Sequence, residues 1–287
     1  MEVESTVVSG AMTLDEKRFA RFSAFIVREL GILMPPAKLT MLQCRLQRRL
    51  HQLQMDSLDE YERYLFESPD SAQELVHFLD LVTTNKTDFF REPRHFDYLR
   101  ETVLPTLARQ WGLGERWECK LWCAGCSSGQ EVYTLAMVLS EYAEAQRGFS
   151  FSVLGTDVSS QVLEEACEGI YPEASAEPIP MPLRRKYLLR SKNPSEPRVR
   201  LVPEIMARVR FGRLNFMEEN YGLRAKFQII FFRNVMIYFD KPTQELIVSR
   251  LCRHLEAGGY FFISHSETLM GLDVPLKQAL NSVYRRV

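Results

Sequence analysis

The 287-residue chain predicts an α/β fold: a doubly wound, largely parallel sheet carrying a small inserted antiparallel β subdomain, preceded by an all-α N-terminal domain. Three observations predict it. Before about residue 84 the apolar residues recur only at helical spacing. From about Lys120 short apolar runs alternate with helical patterns, as parallel strands covered on both faces do. Between Tyr171 and Arg210 that alternation breaks in a proline-rich stretch.

In the helical segment, Thr13-Leu14-Asp15-Glu16 has the form of a capping box. Phe19, Phe22, Ile26 and Leu30 follow on one face, with Gly31 as the stop. Ser57-Leu58-Asp59-Glu60 and Ser71-Ala72-Gln73-Glu74 repeat the start signal, so four short amphipathic helices are expected. The second, about 37–53, stacks Leu39, Leu42, Leu46, Leu50 and Leu53 in one stripe. Lys38, Arg45, Arg48 and Arg49 lie beside that stripe, with no acid between Lys38 and His51. Such a face is either plain solvated surface or a cationic dock for an acidic partner. DNA fits less well, because the segment to Thr84 holds nine basic against thirteen acidic residues.

The sheet region opens with Leu121-Trp122-Cys123 as a strand, the turn Ala124-Gly125-Cys126-Ser127-Ser128-Gly129, and a helix from Glu131 to Ala145. Phe151 to Asp157 is a second strand, followed by a helix from Gln161 to Cys167. Strands are expected at Phe211 to Phe216 and Phe227 to Phe232, then a helix from Gln244 to Leu255. Gly258-Gly259 reads as a turn between that helix and a strand from Tyr260 to Ser264; Val283 to Val287 closes the sheet. The insertion, about 172–210, includes a strand-like piece at Arg198 to Val202. From Pro172 to Arg213 ten Arg or Lys face four Glu; it is either a mere loop or a partner-binding lobe, and its length and charge favour the lobe. The expected division is a helical docking domain over 1–83, a linking and cofactor-contacting segment over 84–110, and the sheet domain over 111–287.

Composition bounds the function. With 46% hydrophobic and 25% charged residues and a net charge of −1, the chain is neither disordered nor fibrous, nor a polycation coat for nucleic acid. No run reaches the ~20 apolar residues of a membrane span. The start Met1-Glu2-Val3-Glu4-Ser5 lacks the features of a signal peptide, so a cytoplasmic location is expected. Six scattered cysteines suit reduced thiols. Cys119, Cys123 and Cys126 resemble half a zinc site without its matching pair, and His254 and His265 have no partners in the sequence pattern; no metal is expected. Trp111, Trp117 and Trp122 read as packing residues.

Ligands of a doubly wound sheet sit beyond the carboxyl ends of its central strands. The 124–129 turn supplies glycines for close approach, but it is neither a GxGxxG fingerprint nor a phosphate loop. Asp157, ending the second strand, is placed to accept from both hydroxyls of a ribose. A ribose acceptor without a phosphate cradle points to S-adenosylmethionine. Glu131 is a candidate for its cationic groups, although an acid in a first helical turn is also favoured by the helix dipole alone.

Two further segments stand out: Thr83 to Glu92, dense in short polar residues, and Phe231 to Phe239, where a charge, an amide and a phenol follow a buried run. Thr84-Asn85-Lys86-Thr87-Asp88-Phe89-Phe90-Arg91, Phe232-Arg233-Asn234-Val235-Met236-Ile237-Tyr238-Phe239 and Gly259-Tyr260-Phe261-Phe262-Ile263-Ser264-His265-Ser266-Glu267 together resemble the CheR family, protein-glutamate O-methyltransferases of bacterial chemotaxis. The resemblance covers nearly the whole chain and implies a class I, Rossmann-like methyltransferase domain. By position it implies that Asn85, Thr87, Arg91, Glu131, Asp157, Asn215, Phe216, Arg233 and Asn234 line the S-adenosylmethionine pocket, with Asn215 and Phe216 at the adenine. It further implies that Lys38, Arg45, Arg48 and Arg49 meet the acidic methylation region of a chemoreceptor's cytoplasmic helical bundle. In some members the β subdomain also grips a peptide at the receptor's C-terminus through a glycine-rich turn; Ser191-Lys192-Asn193 stands there instead.

The implied reaction yields glutamate methyl esters and S-adenosylhomocysteine, for adaptation in chemotaxis signal transduction, by a monomer. Arg91 and Tyr238 are the expected catalytic pair, orienting the accepting carboxylate. Two other readings remain open: the same enzyme with a small-molecule or different protein acceptor, and a module that binds S-adenosylmethionine without turnover.

Overall fold

The computed structural model describes residues 13–83, 85–112 and 118–287. The N-terminal Met1-Glu2-Val3-Glu4-Ser5, Thr84 and Trp117 lie outside the described residues. Two compact units emerge: Met1–Thr84 with Tyr238–Asp240, and Asn85–Ile237 with Lys241–Val287.

The helical unit contains α1 (Glu16–Leu30), α2 (Leu39–Leu53), α3 (Leu58–Glu67) and α4 (Ser71–Val82). Asp15, not Thr13, caps α1, because its carboxylate is the group that reaches the Arg18 N–H, at 2.8 Å. Gly31 ends the helix at φ 70°, as its lack of a Cβ permits. Ser57 caps α3 as expected, accepting from the Glu60 N–H at 3.2 Å. Ser71 is already inside α4 and so cannot cap it. Phe22, Ile26, Leu42, Leu46, Leu50, Tyr61 and Phe78 are completely buried. Each such apolar side chain contributes about 1.5–3 kcal/mol.

The second unit is built on β1 (Cys119–Ala124), β2 (Phe151–Asp157), β6 (Val209–Arg213), β7 (Phe227–Phe231), β8 (Leu255–Phe262), β9 (Leu276–Leu280) and β10 (Val283–Arg286). The strand order is β6-β2-β1-β7-β8-β10-β9. β1, β2, β6, β7 and β8 run parallel; β10 is antiparallel to β8 and β9. The chain winds outward on one side from β1 and on the other from β7, so the reversal of direction falls between these two central strands. That places the turn after β1 and the loop after β7 side by side, where doubly wound sheets bind ligands. A separate antiparallel sheet of β3 (Ile170–Pro172), β5 (Arg198–Leu201) and β4 (Leu188–Arg190) forms the expected insertion.

Two local expectations are corrected, and the linking segment proves to carry helices: α5 (Arg94–Tyr98), one wide π-turn (Leu99–Val103) and α6 (Leu104–Trp111) bury Phe96, Leu99, Val103, Leu104 and Leu107 in the sheet unit's core. Its helical period was masked by Pro93 and Pro105, which begin α5 and lie in the first turn of α6. β6 stops at Arg213, opposite Asp157, where its neighbour in the sheet, β2, also ends. Gly258-Gly259 lies within β8, not in a turn before it. A Cβ at Gly259 would stand 2.8 Å from the Gln228 carbonyl, so the bare backbone lets β8 bulge past β7.

Candidate functional site

The site residues of the sheet unit gather at the carboxyl ends of β2, β1 and β7. Asp157 is buried at the end of β2, where its two oxygens accept from Ser127 N–H at 2.8 Å and Ser159 N–H at 3.1 Å. Gly125 and Cys126 N–H both donate to the Thr156 carbonyl, which ties the β1 turn to β2. Gly125 sits at φ 80°, and a Cβ there would come within 2.5 Å of the Val235 side chain. The turn after β1 and the loop after β7 therefore interlock. On the 85–92 segment, Asn85 accepts from the Ser127 hydroxyl at 2.9 Å through its carbonyl, and Thr87 is half-buried.

A buried cation binds the parts together. Arg233 keeps only 4% of its surface exposed. It pairs with Glu131, with Glu92 at 3.0 Å, and with the Arg91 carbonyl at 2.6 Å. Burial disfavours its charge, but the two carboxylates outweigh that and leave it above the usual guanidinium range. Burial also pushes the Glu92 carboxyl up, yet Arg233 and the bonds from Ser264 and His265 bring it below its ordinary value. The other Glu131 oxygen accepts from the Cys123 thiol at 3.2 Å. Cys123 and Cys126 are buried, and burial raises both thiols well above their ordinary value, which makes them inert.

Four non-glycine residues in this region hold the left-handed backbone conformation: Phe90, Glu92, Ser127 and Asn234. Each is held by neighbours. Phe90 N–H donates to Thr134 at 3.2 Å and Ser127 N–H to Asp157. The Glu92 side chain is held by Arg233, and Asn234 N–H donates to Glu267 at 3.1 Å. Backbone strain of this kind concentrates where a structure presents groups to a ligand. Arg91, between two of these residues, is half-buried and makes one long bond, 3.4 Å, to the Lys86 carbonyl.

Asn215 and Phe216 follow β6, the neighbour of β2. The Asn215 side chain accepts from Met217 N–H at 3.0 Å, while Phe216 is buried edge-on against Phe232. Tyr238 is grouped with the helical unit; its carbonyl accepts from Leu33 N–H at 2.8 Å, and the Lys38 ammonium lies 5.7 Å from its ring centre.

The basic face of α2 is less open than its spacing suggested. Arg49 makes a two-pronged ion pair with Glu74, which is almost completely buried. Arg45 donates twice, at 2.8 Å, to the Leu81 and Thr83 carbonyls at the end of α4. Lys38 donates to the Leu33 carbonyl at 3.0 Å, whereas Arg48 is exposed. Sequence reasoning missed Glu74 as a partner because it read that residue as part of a helix start.

His265 is a second correction, for it has partners: Glu92 and His95 offer ligand atoms within 4.8 Å of it and of one another. Arg233 stands 3.0 Å from the same Glu92 oxygen and already supplies its counter-charge, so a metal cation there would meet direct repulsion. Trp122 is fully buried and donates to Thr156 at 2.9 Å, a packing role. Among the described residues no helix is long and apolar enough to cross a membrane.

The donor set suits a ligand with a ribose and positive charge but no phosphate. Asp157 ends β2, the buried guanidinium is already neutralised by two carboxylates, and no lysine enters the glycine turn. Fold and site together define an S-adenosylmethionine-dependent methyltransferase. Residues 85–284 match the family described as CheR methyltransferase, SAM binding domain, and residues 17–83 match its all-alpha domain. The chain belongs to the CheR methyltransferase family. It is 38% identical over 262 residues to a chemotaxis protein methyltransferase of Borreliella burgdorferi, covering 91% of this chain and 90% of that one. It is 33% identical to chemotaxis protein methyltransferase 2 of Pseudomonas aeruginosa (90% and 89% covered) and 34% identical to the chemotaxis protein methyltransferase of Escherichia coli (91% and 88%).

Proposed function

We propose that this methyltransferase esterifies glutamate side chains on the cytoplasmic helices of chemoreceptors. The observation that carries the reading is Arg91: a half-buried guanidinium with one long bond, on a turn pinned by Arg233, in the segment whose Asn85 carbonyl is bonded by Ser127 of the glycine turn. A glutamate, with pKa about 4.3, is already a carboxylate at neutral pH. The bound cofactor supplies a methyl group on a sulfonium, a good leaving group, so no general base is needed. An oxygen of a carboxylate held in line would take that methyl group, and the carbon–sulfur electron pair would leave with the sulfur.

The protein's task is placement and exclusion of water. In this reading Asp157 holds the ribose hydroxyls, Asn215 and Phe216 meet the adenine, and Asn85, Thr87, Arg91, Glu131, Arg233 and Asn234 complete the pocket. Arg91 holds one oxygen of the accepting carboxylate through its planar fork. Tyr238 offers that carboxylate a hydroxyl. Arg48, with what Lys38, Arg45 and Arg49 still expose, attracts the acidic receptor helices. The exposed 191–197 turn between β4 and β5 is the place to look for a receptor peptide contact.

The test uses methyl-labelled S-adenosylmethionine and an acidic receptor fragment. Label released as methanol by mild alkali supports a carboxyl ester. Alkali-stable label sinks the glutamate assignment. Cofactor binding without any transfer favours the binding-module reading.

A further inference from the structure

Glu267, in the loop after β8, has no cation at its carboxylate among the bonds the structure shows; it faces backbone N–H groups instead. One oxygen accepts from Ser264 N–H at 2.8 Å and Asn234 N–H at 3.1 Å; the other accepts from Met236 N–H at 2.9 Å. Two of these three donors belong to the loop after β7, and Asn234 is one of the four left-handed residues. The same loop is held a second time, since the Asn234 amide donates to the Ser264 hydroxyl at 2.8 Å and that hydroxyl donates to Glu92 at 3.0 Å. Burial pushes the Glu267 carboxyl above its ordinary value although these N–H groups oppose the shift, so a costly buried charge is spent on backbone alone.

We infer that Glu267 is a positioning residue for cofactor binding: its carboxylate keeps the Asn234 turn in its left-handed form and keeps Val235 seated over Gly125. This rests on the reading that Asn234 faces the cofactor. A neutral amide at 267 can accept through only one of its two end atoms, and its NH2 then opposes a backbone donor. The Asn234 turn then loses the anchor that selects its left-handed form, which an Asn can adopt but does not hold on its own.

The test measures binding of S-adenosylhomocysteine by calorimetry, and KM and kcat for S-adenosylmethionine, in the full chain. Glu267→Gln, Asn234→Ala and the double variant are compared at a temperature where all are folded. Glu267→Gln is expected to weaken binding and raise KM about tenfold while kcat changes less than about threefold; a tenfold effect corresponds to about 1.4 kcal/mol. Amide exchange over 233–237 is expected to quicken. The double variant is expected to bind no more weakly than the worse single one, because both changes undo one turn. If Asn234→Ala weakens binding and folded Glu267→Gln does not, the inference fails while the cofactor reading stands. Strict additivity also overturns it. If Asn234→Ala binds normally, the cofactor reading at this turn fails and takes the inference with it. Should Glu267→Gln not fold, Glu267→Asp, which keeps the charge but shortens its reach, is expected to show the same KM-selective defect; a normal KM there overturns the inference.

Discussion

Each unit contains a buried arginine–carboxylate pair, and the two are built in opposite senses. In the helical unit the acid is the hidden partner: Glu74 has 1% of its side chain exposed, against 17% for Arg49. In the sheet unit the cation is hidden: Arg233 has 1% exposed, against 17% for Glu92 and 14% for Glu131. Glu74 is bonded by Arg49 and by the Tyr61 hydroxyl at 2.8 Å, so it joins α2, α3 and α4. Arg233 spends its end nitrogens on the strained 90–92 turn and on Glu131, and its Nε has no bond. The first arrangement uses charge to fasten helices. The second uses it to fix the backbone of a site while leaving carboxylate surface toward it.

Arg233→Met is the harshest way to break that contrast. It leaves Glu92 and Glu131 without their counter-charge, and removing one partner of a buried pair costs about 3–5 kcal/mol. Urea unfolding is expected to show that loss together with loss of S-adenosylmethionine binding. Next in size, Arg91→Ala is expected to lower kcat about a hundredfold, or about 2.7 kcal/mol, with a smaller loss of cofactor affinity because Arg91 is also read as a pocket residue. Unchanged turnover with normal cofactor and receptor binding removes Arg91 from the mechanism.

The third concerns His95, buried against Glu92 and the hydroxyl of Ser282, 2.8 Å from its Nε2. Burial, then Arg233, lowers its pKa to about 3. The folded protein thus refuses a proton that the unfolded chain accepts near pH 6.5, so stability falls as pH drops below that value. The slope from this group approaches about 1.4 kcal/mol per unit, and His95→Gln is expected to flatten it in urea titrations between pH 6.5 and 5. The smallest effect is expected from Glu74→Gln. Arg49 can turn toward solvent, so about 1 kcal/mol of stability is lost and cofactor affinity stays unchanged. A loss of affinity there ends the distinction between the two pairs.

How far the sequence revealed this depends on the kind of signal. Strand and helix periods placed β1, β2, β7 and α7 (Gln130–Ala145) within a residue or two, because burial dictates those patterns. The places of Asp157, Glu131 and the glycine turn in the fold were legible because they sit at fixed offsets from a strand end. Arg233 stood out as a charge just after a buried run, but not as the clamp on Arg91, since its partners lie 142 and 102 positions away. Contacts over such spans leave no local pattern. The same holds for Arg49 and Glu74, which looked like a free cation and a helix-start acid. β9 was missed because none of its residues is buried, so no apolar alternation marks it.

The missing side chain at Gly125 has an evolutionary consequence. Val235 occupies the volume that a methyl group at 125 would claim, so the two positions share one space between loops 110 residues apart in sequence. Gly125 cannot gain a side chain while Val235 keeps its bulk. A relative that acquires alanine at the position of Gly125 must give up bulk at the position of Val235, and must also tolerate a left-handed alanine. The pair therefore ties the history of the turn after β1 to that of the loop after β7.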